Sequence, residues 1–220
     1  MNVEPRSFLV TAAHQFYRQG WMVGTAGNLS IRNDDSFWIT ASGKNKGQLT
    51  EHDFVRVDLN GRVIESPHPT NRPSAETSIH QVIYSLFPNA RVCFHVHSVE
   101  ANLVSNFTER ETLPLPPLEM LKGLGVWEEN PRVEMPLFEN YLEVEKIAAQ
   151  IRDRFSMSAP EIPALLIRNH GVTVWASSPA AAQNQIEIVE YIFRYLVAER
   201  QVNGASMTNF PITRAEFKDR

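Results

Sequence analysis

The spacing of apolar and polar positions changes period several times along the chain, and each change predicts an element. Phe8, Leu9, Ala12, Ala13 and Phe16 recur at helical spacing, so a first helix is expected over Arg6 to Arg18, stopping at Gly20. Leu29 to Arg32 and Ser36 to Thr40 read as strands joined by a turn at Asn33-Asp34-Asp35. A second strand pair flanks Asn60-Gly61, a dipeptide that accepts the positive φ of a tight hairpin. After Pro73 the stripe Ile79, Val82, Ile83 and Leu86 returns to the helical period. Arg91 to His97 then alternates as a strand. Val92, Phe94 and Val96 fall on one face; Cys93, His95 and His97 fall on the other.

A short helix is expected from Ser98 to Ser105 and a longer one from Glu143 to Arg154. Ala164 to Arg168 and Val172 to Trp175 read as strands on either side of a turn at Asn169-His170-Gly171. Ser178-Pro179 opens a long helix, with serine as the cap and proline pre-setting φ at the first helical position. Hairpin-linked strands with helices at intervals predict an α/β fold. The expected form is a sandwich, with helices on both sides of a central, mainly antiparallel sheet rather than a doubly wound one. No linker divides the chain, so a single domain is expected over residues 1–220, with a core of about 6–200 and a C-terminal tail over 201–220.

Composition narrows the function. Apolar residues make up 43% of the 220 and charged residues 21%, enough for a core and a solvated surface. The net charge of −4, without runs of like charge, argues against a nucleic-acid partner. No stretch approaches the roughly 18–20 apolar residues of a membrane span, and the N-terminus lacks a signal-peptide pattern. Cys93 is the one cysteine, so neither a disulfide nor a Cys-rich zinc motif can form within the chain. A reducing, cytoplasmic setting is expected.

His95 and His97 stand two apart on a predicted strand, so both imidazoles project from one face. That suits a first-row divalent metal, zinc most commonly, although a His-x-His pair taken alone is more often two ordinary polar-face histidines. His170 lies in a turn, where a structural or surface role is the alternative to a third ligand. Glu76 falls in the first turn of its helix, and the helix dipole accounts for it without a metal. With three histidines, a weakly held carboxylate or water makes a catalytic zinc site with an exchangeable position. His14, His52, His68 and His80 lack this local pattern, and Cys93 reads as a small core residue.

Three segments upstream of the histidine pair suit an anion. Thr25-Ala26-Gly27-Asn28-Leu29-Ser30 combines a flexible glycine with amide and hydroxyl donors, and Thr40-Ala41-Ser42-Gly43-Lys44 adds an ammonium. Arg72-Pro73-Ser74 places a hydroxyl where a helix begins. Ordinary turns use the same residues, so each is weak by itself.

Taken in order, Thr25 to Ser30, Ile39-Thr40-Ala41-Ser42-Gly43, Arg72-Pro73-Ser74-Ala75-Glu76, His95-Val96-His97 and Asn169-His170-Gly171 resemble the class II aldolase/epimerase (aldolase/adducin) family of zinc-dependent sugar-phosphate enzymes. The motifs are short but specific as an ordered set, and they span most of residues 6–200. The resemblance implies one Zn2+ per subunit on His95, His97 and His170, and a homotetramer with active sites between subunits. It implies a phosphate held by Gly27, Asn28, Ser42, Gly43 and Ser74, to which the loop reading adds Lys44. Leu118-Glu119-Met120-Leu121-Lys122-Gly123 resembles the segment that carries the catalytic glutamate in the family's dehydratases, which puts the acid/base role on Glu119. Glu76, the base position in the family's aldolases, then reads as a substrate-site carboxylate, a ligand or an inherited remnant, ranked after Glu119. The alternatives are an aldolase or epimerase of the same family, and a non-catalytic scaffold like the adducin head domain.

Overall fold

The computed structural model describes residues 4–203, and its elements follow the changes of period in the sequence. Helix α1 (Pro5–Arg18) buries Leu9, Ala12, Ala13 and Phe16, the expected stripe. Strands β1 (Asn28–Asn33) and β2 (Ser36–Thr40) form a hairpin whose two-residue turn holds Asp34 at φ 51°. Strands β3 (Phe54–Asp58) and β4 (Val63–Glu65) flank Asn60-Gly61. There the Asp58 carboxylate accepts from the amides of Asn60 and Arg62 and closes the turn. The chain continues through α2 (Thr77–Leu86), β5 (Val92–Val96), α3 (Val99–Val104), β6 (Thr112–Pro114), β7 (Glu134–Phe138), α4 (Val144–Met157), β8 (Ala164–Ile167), β9 (Gly171–Ala176) and α5 (Pro179–Val202).

Among the described residues, nine strands make one sheet in the order β4-β3-β2-β1-β5-β9-β8-β7-β6. Every neighbouring pair is antiparallel except β7 and β8, which run parallel. The mainly antiparallel expectation holds, in a mixed sheet. Strands β6 and β7 are additions to the expected set. Pro136 lies inside β7, opposite Thr112, and a residue without an N–H breaks the usual strand signature.

Helices cover both faces. Leu9, Phe16, Phe94, Val174 and Phe193 belong to a core between the sheet and α1, α3 and α5. Ile79, Ile83, Tyr84, Ile151, Phe155 and Trp175 belong to another, under α2 and α4. Strand β5 is buried throughout, with its alternate side chains feeding both cores, and Cys93 is a fully buried free thiol, as expected of a core residue. Helix α5 carries regular structure to Val202, and the tail expected over Thr208 to Arg220 lies outside the described residues. No helix among the described residues is long and apolar enough to cross a membrane.

Candidate metal centre

Strand register builds the floor of the site. Asn28 of β1 pairs with His95 of β5, which pairs with Thr173 of β9, so the three stand in one row across the sheet. His97 follows just beyond the end of β5, its amide donating to the Trp21 carbonyl at 2.7 Å. His170 comes from the turn between β8 and β9, where Asn169 adopts φ 50°. Gly171 is fitted tightly behind it, because a Cβ there would lie 2.2 Å from the Val96 carbonyl oxygen. Glu76 directly precedes α2 but makes no capping bond to that helix. Its carboxylate turns instead to the histidines.

The ligand atoms of Glu76, His95, His97 and His170 lie within 4.8 Å of one another. His95 Nε2 is 2.8 Å from His97 Nε2, 3.4 Å from His170 Nε2 and 3.4 Å from Glu76 Oε2. His170 Nε2 is 2.6 Å from Glu76 Oε1. A tetrahedral zinc with ligands at about 2.0–2.1 Å separates its ligand atoms by about 3.4 Å, so two of these four separations already match and the others open by less than about 1 Å. The outer nitrogens are occupied: His95 Nδ1 sits 2.8 Å from Thr173 Oγ1, and His170 Nδ1 sits 3.1 Å from Asn140 Oδ1. With Nδ1–H donated outward, the His95 Nε2 lone pair faces the centre; His170 takes the same tautomer when a metal replaces its Nε2–H bond to Glu76.

The electrostatics agree with that donor set. Burial pushes the His95 imidazole well below its usual range and His97 down to about 4, with the Glu76 charge opposing in both cases. Neutral imidazole is the form that binds a metal. Burial alone would raise the Glu76 carboxyl, but the neighbouring His95 and the hydrogen bond from His170 more than offset it and hold Glu76 ionised. Three imidazoles and one carboxylate converging within 4.8 Å fit a divalent metal such as zinc.

Beside the centre opens a cleft of about 300 Å3, whose lining includes Gly27, Asn28, Ser42, Gly43, Ser74 and Lys46. All of the expected anion-binding residues but one therefore meet there. Gly27 also has a packing reason to be glycine: it adopts φ 78°, and a Cβ would approach the His95 carbonyl oxygen to 2.9 Å. Lys44 is absent from this lining because its ammonium pairs with Asp53 at 2.9 Å. Lys46 lines the cleft in its place. Glu119 is also elsewhere: it opens a 3-10 segment, Glu119–Leu124, with its side chain 80% exposed and paired with Lys122 at 3.0 Å. One chain alone does not bring Glu119 to the histidines.

Thr173, Asn140, Lys46 and His80 were not singled out by spacing. One signal was present for His80, which follows Glu76 by four residues and so shares its helix face.

Similarity to known proteins follows the same lines. A protein of Microcystis aeruginosa named methylthioribulose-1-phosphate dehydratase is 68% identical over 200 residues, covering 90% of this chain and 98% of that protein. A protein of the same name from Leptospira biflexa is 42% identical over 192 residues, covering 84% of this chain and 92% of its own. The crystal structure of L-fuculose-1-phosphate aldolase from Thermus thermophilus superposes with a TM-score of 0.73 over 92% of this chain and 98% of that one; at 24% identity, this likeness shows the fold alone. The model of the class II aldolase and adducin N-terminal domain matches residues 8–197. The chain belongs to the class II aldolase and adducin N-terminal domain family.

Proposed function

We propose that the chain removes water from methylthioribulose-1-phosphate, giving 2,3-diketo-5-methylthiopentyl-1-phosphate, as a zinc-dependent hydro-lyase of methionine salvage. The observation that carries this reading is the convergence of His95, His97, His170 and Glu76 beside an anion-lined cleft. It occurs in a chain 68% identical to a dehydratase of that name over nearly its whole length. His95, His97 and His170 would hold a divalent cation, which would supply Lewis acidity toward the C2 ketone and so acidify the adjoining C3–H.

The protein's own groups do the rest. Backbone and hydroxyl donors of Gly27, Ser42, Gly43 and Ser74, with the Lys46 ammonium, hold the phosphate and so orient the C3–C4 bond. A carboxylate takes the C3 proton; the electron pair left behind expels the C4 hydroxyl, which departs as water with the proton returned by the same carboxyl. The enol formed then tautomerises to the diketone. We assign that carboxylate to Glu119, delivered by a neighbouring copy within a homotetramer. In support, Glu119 is exposed and stands outside its own cleft, and Trp127 nearby in sequence is left 75% exposed, as association surfaces commonly leave an aromatic residue. The same proposal takes residues 1–220 as one domain, supported by the sheet shared among residues 28–176. It also takes the compartment as the cytoplasm, which suits a free buried thiol.

Turnover of methylthioribulose-1-phosphate tests the proposal: the product should lose one water by mass and absorb in the ultraviolet as a diketone. Glu119→Gln should keep fold and metal while turnover falls on the order of 100- to 10,000-fold. Near-normal turnover in that variant removes Glu119 from the role and leaves Glu76. Cleavage of fuculose-type phosphates to dihydroxyacetone phosphate, with no dehydration, would favour the aldolase reading.

A further inference from the structure

Behind Glu76, a line of buried polar side chains runs into the core under α2. Glu76 Oε2 accepts a short hydrogen bond from Asn28 Nδ2. Asn28 Oδ1 lies 2.5 Å from His80 Nε2, and His80 Nδ1 lies 2.6 Å from Ser30 Oγ. Ser30 Oγ in turn lies 2.7 Å from the Tyr84 hydroxyl. Asn28, Ser30, His80 and Tyr84 are at most 2% exposed. Two periodicities assemble the line: Glu76 at the N-cap of α2 is followed at intervals of four by His80 and Tyr84 within the helix, and Asn28 and Ser30 are two apart on β1.

Each bond dictates the direction of the next. A carboxylate only accepts, so Asn28 presents its NH2 to Glu76 and its carbonyl oxygen to His80. That oxygen only accepts, so His80 carries its proton on Nε2. A neutral imidazole then has its lone pair on Nδ1, which must accept from the Ser30 hydroxyl, and Ser30 must accept from Tyr84. Burial keeps the ring neutral, pushing His80 down to about 4 against the opposing charge of Glu76.

Resting on the reading of the cluster as a metal centre, we infer that His80 is a positioning residue that, through Asn28, aims the Glu76 carboxylate at the three ligand histidines. Ser30 and Tyr84 fix the imidazole tautomer that this task needs. His80 touches none of the ligand histidines, so it acts from one residue further out. A rigid outer partner of this kind typically changes metal affinity about 10- to 100-fold.

Two measurements test this. In metal-free wild-type protein at neutral pH, 15N-histidine spectra should show His80 as the neutral Nε2–H tautomer; an Nδ1–H tautomer or an imidazolium overturns the inference. In chelator competition, His80→Leu should weaken zinc binding about 10- to 100-fold. His80→Gln, whose amide N–H can replace Nε2–H, should recover to within a few-fold. Wild-type affinity in the Leu variant, or equal loss in both, overturns the positioning role. Should His80→Leu fail to fold, the spectrum of the wild type still decides. A wild-type protein that binds no zinc defeats the metal reading alone, since the tautomer is read without metal.

Discussion

Lys44 and Lys46 lie two positions apart after β2, and their ammonium groups meet opposite surroundings. Lys44 is partly exposed and held by Asp53, a surface pair worth at most about 1 kcal/mol. Lys46 is 2% exposed, and its Nζ donates to the carbonyls of Thr25 at 2.6 Å and of Lys44 at 3.1 Å. Burial lowers it to about 8, with Glu76 opposing, so near neutral pH it stands as a cation in the wall of the cleft with one N–H to offer. Lys46→Met should therefore raise KM for the phosphorylated substrate by at least about 10-fold, one lost charge-assisted hydrogen bond, while Lys44→Met leaves it within about twofold; equal effects in steady-state kinetics would contradict this. Spacing marked the loop but not which lysine turns inward, because that depends on the Thr25 carbonyl, 21 residues earlier. His95 and His97 were legible for the opposite reason: strand alternation alone puts them on one face. His80 was not, because its partners lie on β1 and the hydrogen bonds that occupy it are non-local.

At the scale of elements, α5 carries a buried ionisable group, Glu190. Glu190 is fully buried, and neither of its oxygens makes a well-formed hydrogen bond. Burial pushes its carboxyl up to about 8, the Ser98 hydroxyl resisting and Glu100 adding to the rise. A carboxyl raised in the folded state binds its proton more tightly there than in the unfolded chain. Its contribution to stability is therefore fully present below the unfolded value of about 4.5 and is lost as pH rises through about 8. Glu190→Gln removes that dependence. Thermal melts should show the variant gaining on the wild type from pH 5 to pH 8.5, by a few kcal/mol at most; a constant difference across that range would contradict the assignment. The helices and hairpins were legible because each carries its period and its turn residues within a few positions. Strand β7 was not, since Pro136 interrupts it, and its parallel partner β8 comes only after α4.

At the scale of the molecule, the sheet accounts for the site. Antiparallel pairing on both sides of β5 sets Asn28, His95 and Thr173 in one row, and the chain ends of β5 and β9 add His97 and His170. No one of those strands contains the site, which explains why the separate motifs gain meaning only in their order. Glu119, the proposed catalytic carboxylate, is exposed in a single chain and would reach a centre only from a neighbouring copy. The centre itself needs only one chain. Elemental analysis of protein purified without chelators should find one zinc per chain, lost in a folded His95→Ala variant. Wild-type protein free of divalent metal, or a variant that retains a full equivalent, would contradict the assignment of His95, His97 and His170 as the metal centre.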